Sequence, residues 1–98
     1  MTKDISLKVV NEIEQVVCNY TIGWANEEAI KKINILLNKI QNPLWSDKIS
    51  FIREYTKILF SARKHEKYGG AEKVRSLILN SCASLEDLIS RQDKEKAL

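Results

Sequence analysis

Apolar residues recur every three or four positions over four long stretches of this chain. In the first, Val9, Ile13, Val16 and Tyr20 are spaced by four, three and four, flanked by Val10 and Val17, with Lys8, Glu12 and Gln15 on the other side. In the second, Ile30, Ile33, Leu37 and Ile40 form the stripe and Leu36 widens it. Ile35 lies to one side, while Lys31, Lys32, Asn34, Asn38 and Lys39 face outward. The third stripe is Ile49, Ile52, Tyr55 or Thr56, Leu59 and Ala62; the fourth is Val74, Leu77, Ile78, Cys82, Leu85, Leu88 and Ile89. This is the 3.6-residue period of amphipathic helices, whereas a half-buried strand would alternate. The pattern predicts helices over about 4–20, 26–41, 46–68 and 71–91.

Boundary residues agree with that division. Asp4, with Thr2 as its competitor, Asn26 and Ser46 read as N-caps, whose side-chain oxygens accept from free N–H groups of the first turn. Glu27, Glu28 and Asp47 follow them, where the helix dipole favours negative charge. Gly23 is placed to take the left-handed conformation that ends a helix. Pro43 disfavours a helical Asn42. Gly69-Gly70 predicts a tight reversal. Trp24 is expected to close one end of the core, and Trp45 to staple onto Ser50 or Phe51. Ser76, Asn80, Ser81 and Ser84 are weak helix formers, and a bend or fraying between Asn80 and Ser84 is expected. The charged tail Gln92–Leu98 is expected to fray. Four helices with short links predict an all-α, antiparallel up-down-up-down four-helix bundle, a single domain spanning 1–98.

Composition narrows the function. The chain has 98 residues, one proline and three glycines, which suits long helices and not a β-sandwich. Its longest apolar runs are far shorter than the ~20 residues that span a bilayer, and no signal-peptide core is evident, so a cytoplasmic location is expected. Net charge is +3, mild for a nucleic-acid binder. The excess is local: residues 46–69 hold six Lys/Arg against three Asp/Glu, and the segments on either side balance.

Candidate chemistry is sparse. Cys18 and Cys82 are too far apart in sequence for zinc-type spacing and read as reduced, packed thiols. His65 stands in a run of cations and reads as part of a solvated face. No phosphate loop follows Gly69-Gly70, and no Glu-x-x-His motif is present for a bundle metal site. The expectation is a non-enzyme with no catalytic residues, metal or cofactor. What remains is a basic cluster at the end of the third helix and the start of the fourth: Arg63, Lys64, Lys67, Tyr68, Lys73 and Arg75, with Arg91 further along. Such a patch attracts an acidic protein, anionic headgroups or nucleic acid. Tyr68 adds an aromatic of the kind that anchors interfaces.

Pro43-Leu44 precedes a third helix carrying Ile49-Ser50-Phe51-Ile52-Arg53-Glu54-Tyr55, then Leu59-Phe60, then basic residues. In this order, and in its four-helix layout from about Ile5 to Ile89, the chain resembles the enterocin A-type immunity proteins. These protect lactic acid bacteria and streptococci from pediocin-like (class IIa) bacteriocins. The resemblance implies a non-enzymatic bundle that engages the bacteriocin's membrane receptor, the mannose phosphotransferase permease, once bacteriocin is bound, from the cytoplasmic side; peripheral membrane contact is compatible with the basic cluster. It places specificity in the C-terminal half, where the basic cluster lies. Two further expectations stand beside it: a small helical inhibitor or adaptor for another soluble protein, and a nucleic-acid-binding helical module. The second is disfavoured by the low net charge and by the lack of an exposed Arg/Asn/Gln recognition stripe.

Overall fold

The structure, a computed structural model, describes the backbone of residues 3–96 and the side chains of residues 4–91. Four helices pack together: α1 Lys3–Asn19, α2 Glu27–Asn38, α3 Ser46–Leu59 and α4 Ala71–Lys96. A 3-10 turn, Pro43–Trp45, leads into α3, and a 3-10 segment, Lys64–Tyr68, stands between α3 and α4. The described residues contain no strand. Each helix contacts the next, and α4 closes the bundle on α1. The four-helix bundle is therefore as its periodicity predicts.

The core follows the stripes closely. Val9, Val10, Ile13 and Val17 of α1 meet Ile33 and Leu37 of α2, Ile52 and Leu59 of α3, and Val74, Ile78, Cys82, Leu85 and Ile89 of α4. Val10 and Val17, read as flanking residues, are fully buried. Trp45 is buried under the α2–α3 link, whereas its neighbour Leu44 is exposed. Thr56 is a polar residue inside the core; its hydroxyl donates to the Ile52 carbonyl at 2.6 Å, so burial leaves no donor unpaired.

Several boundaries differ from the sequence expectation, each for a local reason. The third helix does not run to residue 68. It stops at Leu59, and Phe60 leaves helical geometry at φ −97°, ψ 47°. Phe60 is buried, and turning the backbone there holds its ring inside while Ala62, expected on the buried stripe, faces solvent. The carbonyls freed at this end find donors elsewhere. Gly23 N–H donates to Leu59 O at 3.0 Å, Asn26 N–H to Phe60 O at 3.3 Å, and Ser61 Oγ to Ile58 O at 2.6 Å. The α1–α2 loop thus caps α3, a long-range arrangement no local pattern shows.

Ser46 is not the cap of α3 either. It is the first residue of the helix, directly after the 3-10 turn. Asn42 does the capping one turn earlier, its Oδ1 accepting from Leu44 N–H at 2.9 Å. Asn26 is the N-cap of α2 as expected, accepting from Ala29 N–H at 3.1 Å. Asp4 lies inside the first turn of α1, where its charge still suits the dipole. The fourth helix passes through Asn80–Ser84 without a break and continues to Lys96, beyond the expected stop at Arg91. Residues 92–96 are thus helical in backbone; their side chains, with residues 97 and 98, lie outside the described set.

Candidate functional site

The third helix's early stop defines the end of the bundle where the basic residues gather. After Phe60 the chain bends through Ser61–Arg63 and coils into the segment Lys64–Tyr68. Ser61 Oγ accepts from Lys64 N–H at 3.0 Å and fixes that entry. The exit is fixed by two glycines at φ 94° and 103°, with Gly70 N–H donating to His65 O at 3.0 Å. Two successive left-handed residues reverse the chain within one step, and α4 begins at Ala71.

His65 is not a solvated residue. Its Nε2–H donates to Gly23 O at 3.3 Å, and Nδ1 is buried without a hydrogen-bond partner. The ring lies against the α1–α2 loop so closely that a Cβ added at Gly23 would come within 3.6 Å of it. The 3-10 segment and the α1–α2 loop are therefore stitched together, and both rest on the end of α3.

On this frame Arg63, Lys64, Lys67 and Lys73 are exposed, and among the described residues none of them enters an ion pair. Glu66 stands among them. Tyr68 is 43% exposed and meets Tyr55 edge-on, with ring centroids 5.6 Å apart. Tyr55 in turn stacks on Phe51 at 4.1 Å. This aromatic row braces the short 3-10 segment against α3.

The other two predicted residues behave differently. Arg75 is half-buried and its guanidinium is bonded to Glu72, so its charge is spent within α4. Arg91 is separated from the cluster: it lies 18 residues beyond Lys73, roughly 27 Å along the helix, and its Nε is 3.0 Å from Asp87 Oδ2. The structure unites Arg63, Lys64, Lys67, Tyr68 and Lys73 and leaves Arg91 outside.

The sequence reading misplaced Trp24. It does not close the core; it is 68% exposed. It follows Gly23 and precedes Asn26, the two residues whose N–H groups are held by α3, so it projects from the same end as the cations. Tyr20 stands four residues before it at helical spacing, but Gly23 intervenes, and the helical positions that follow are Glu27 and Glu28, so the second stripe offers it no apolar neighbour.

A second group of titratable residues lies between α1 and α4. Glu14 and Glu86 face each other, with Cys82 and Cys18 close by. Partial burial, a hydrogen bond to Glu86 and repulsion by its charge push the Glu14 carboxyl up to about 7. Burial, aided by both carboxylates, pushes the Cys82 thiol up to about 12. A thiol held that firmly protonated is not an activated nucleophile. Cys18 is exposed, contrary to the expectation of a packed thiol, and both cysteines are free. Among the described residues no group of three or more His, Cys, Asp or Glu is arranged to hold a metal ion. No described helix is long and apolar enough to cross a membrane.

No family model, no curated protein and no solved structure matches this chain.

Proposed function

We propose that this protein works by docking on another macromolecule through the end of the bundle formed by the 3-10 segment, the Gly69-Gly70 reversal and the first turn of α4, and that it is a bacteriocin immunity protein. In this reading it engages the mannose phosphotransferase permease, with a pediocin-like bacteriocin bound, from the cytoplasmic face and blocks the pore. The observation that carries the docking surface is the set of four exposed, unpaired cations with Tyr68 on a backbone fixed at both ends. A backbone already held in place, with Tyr68 packed on Tyr55, lowers the ordering cost of binding, and Arg and Tyr are favoured as interface anchors. The choice of partner rests on the resemblance of the third helix and its basic continuation to the enterocin A-type immunity proteins.

Expression in a strain sensitive to pediocin-like peptides tests the reading. Cells expressing the chain should survive at least one peptide of that class and remain sensitive to unrelated pore formers. Failure to protect against a panel of class IIa peptides would overturn it.

A further inference from the structure

The end of the bundle carries more than cations. Trp24 is largely exposed there and Tyr68 partly so, beside Arg63, Lys64, Lys67 and Lys73. The backbone around Trp24 is held in place, since Gly23 and Asn26 N–H donate to the Leu59 and Phe60 carbonyls at the end of α3 and Gly23 O accepts from His65, while the indole itself faces solvent.

We propose that this end docks on the surface of an anionic lipid bilayer. Trp and Tyr partition to the headgroup level of membranes, where an apolar ring and a polar N–H or O–H are both accommodated. Exposed Lys and Arg beside them add attraction to anionic headgroups. The charges are complementary to such a surface: with Glu72 neutralised by Arg75, only Glu66 opposes the four cations on the 3-10 segment and start of α4. Glu27 and Glu28 stand on the next turn, at the dipole-positive start of α2. The inference uses the same end as the proposed function and deepens it, by supplying the contact that would bring the chain to a membrane-embedded receptor. It does not require that receptor.

Intrinsic fluorescence with protein-free vesicles tests it, because Trp45 is buried and Trp24 reports the surface. With vesicles of phosphatidylglycerol and phosphatidylcholine, emission should shift to shorter wavelength and the protein should co-sediment. With pure phosphatidylcholine, or at high salt, both effects should fall away. Trp24→Ala should abolish the shift. Lys64→Ala and Lys67→Ala should each lower partitioning roughly fivefold. All three positions are exposed, and unchanged circular dichroism will verify the fold. No shift and no co-sedimentation with anionic vesicles would overturn the proposal and leave the end to a protein partner, as would binding that survives both Trp24→Ala and the lysine variants. Resistance without vesicle binding would sink the lipid contact alone; vesicle binding without resistance would sink the immunity reading alone.

Discussion

Trp24 and Trp45 are of one residue type with opposite placements, and substitution separates them. Trp45 is 8% exposed and Trp24 68%. Trp45→Ala should cost about 3–5 kcal/mol by leaving a cavity beneath the α2–α3 link. Trp24→Ala should change stability by less than about 0.5 kcal/mol. Urea unfolding of the two variants measures both. Glu14 supplies a second residue-scale prediction. Its carboxyl is raised from 4.5 to about 7 in the folded chain by burial and by the neighbouring Glu86. The folded state therefore holds this proton more tightly than the unfolded state does. The resulting stabilisation is complete below about pH 4.5 and is lost as pH rises through about 7. Glu86→Gln removes the repelling charge and leaves an amide that can donate to the Glu14 carboxylate. Thermal melts from pH 5 to pH 8 should show Tm falling in the parent and falling less in Glu86→Gln.

At the scale of the element, the helices are legible in the sequence and several of their ends are not. The four stripes place Val9, Ile33, Ile52 and Ile78 on buried faces because a 3.6-residue period is a local property of the chain. The stop at Leu59 is not local. It depends on Gly23 and Asn26, more than thirty residues earlier, supplying N–H groups to the Leu59 and Phe60 carbonyls. Ser46 misled for a related reason: it is a good cap residue in a place where Asn42 and Pro43 had already begun a coil one turn upstream. Of the candidate site, the cations and Tyr68 were visible as composition, whereas Trp24 joined them only through the α1–α2 loop's contact with α3. Capping can be tested directly. Asn42→Ala should cost about 1 kcal/mol, and Ser46→Ala much less. Gly23→Ala should cost more than either. It forces a side chain to φ +81° and sets a Cβ 3.4 Å from that of Ala71, with His65 beside it. Strain of this kind costs on the order of 1–3 kcal/mol. Chemical denaturation of the three variants gives the order.

At the scale of the molecule, charge is distributed along a rod. The chain's whole excess of +3 resides in residues 46–69, and the segments before and after are neutral. Two substitutions change net charge equally and differ only in where they act. Lys64→Glu alters the 3-10 segment at one end; Arg91→Glu alters α4 near the other. Each takes the protein from +3 to +1. If net charge governed docking, both would impair it alike. If the local field at the bundle's end governs it, as short screening lengths of ~8 Å at physiological salt require, Lys64→Glu alone is damaging. Arg91→Glu also breaks the pair with Asp87, but that pair is exposed on both sides and should be worth no more than about 0.5 kcal/mol. Both proteins should therefore melt within a few degrees of the parent. If the chain is an immunity protein as proposed, survival of sensitive cells challenged with a class IIa bacteriocin should collapse with Lys64→Glu and persist with Arg91→Glu. Equal loss with the two would show that the basic end is not a discrete surface.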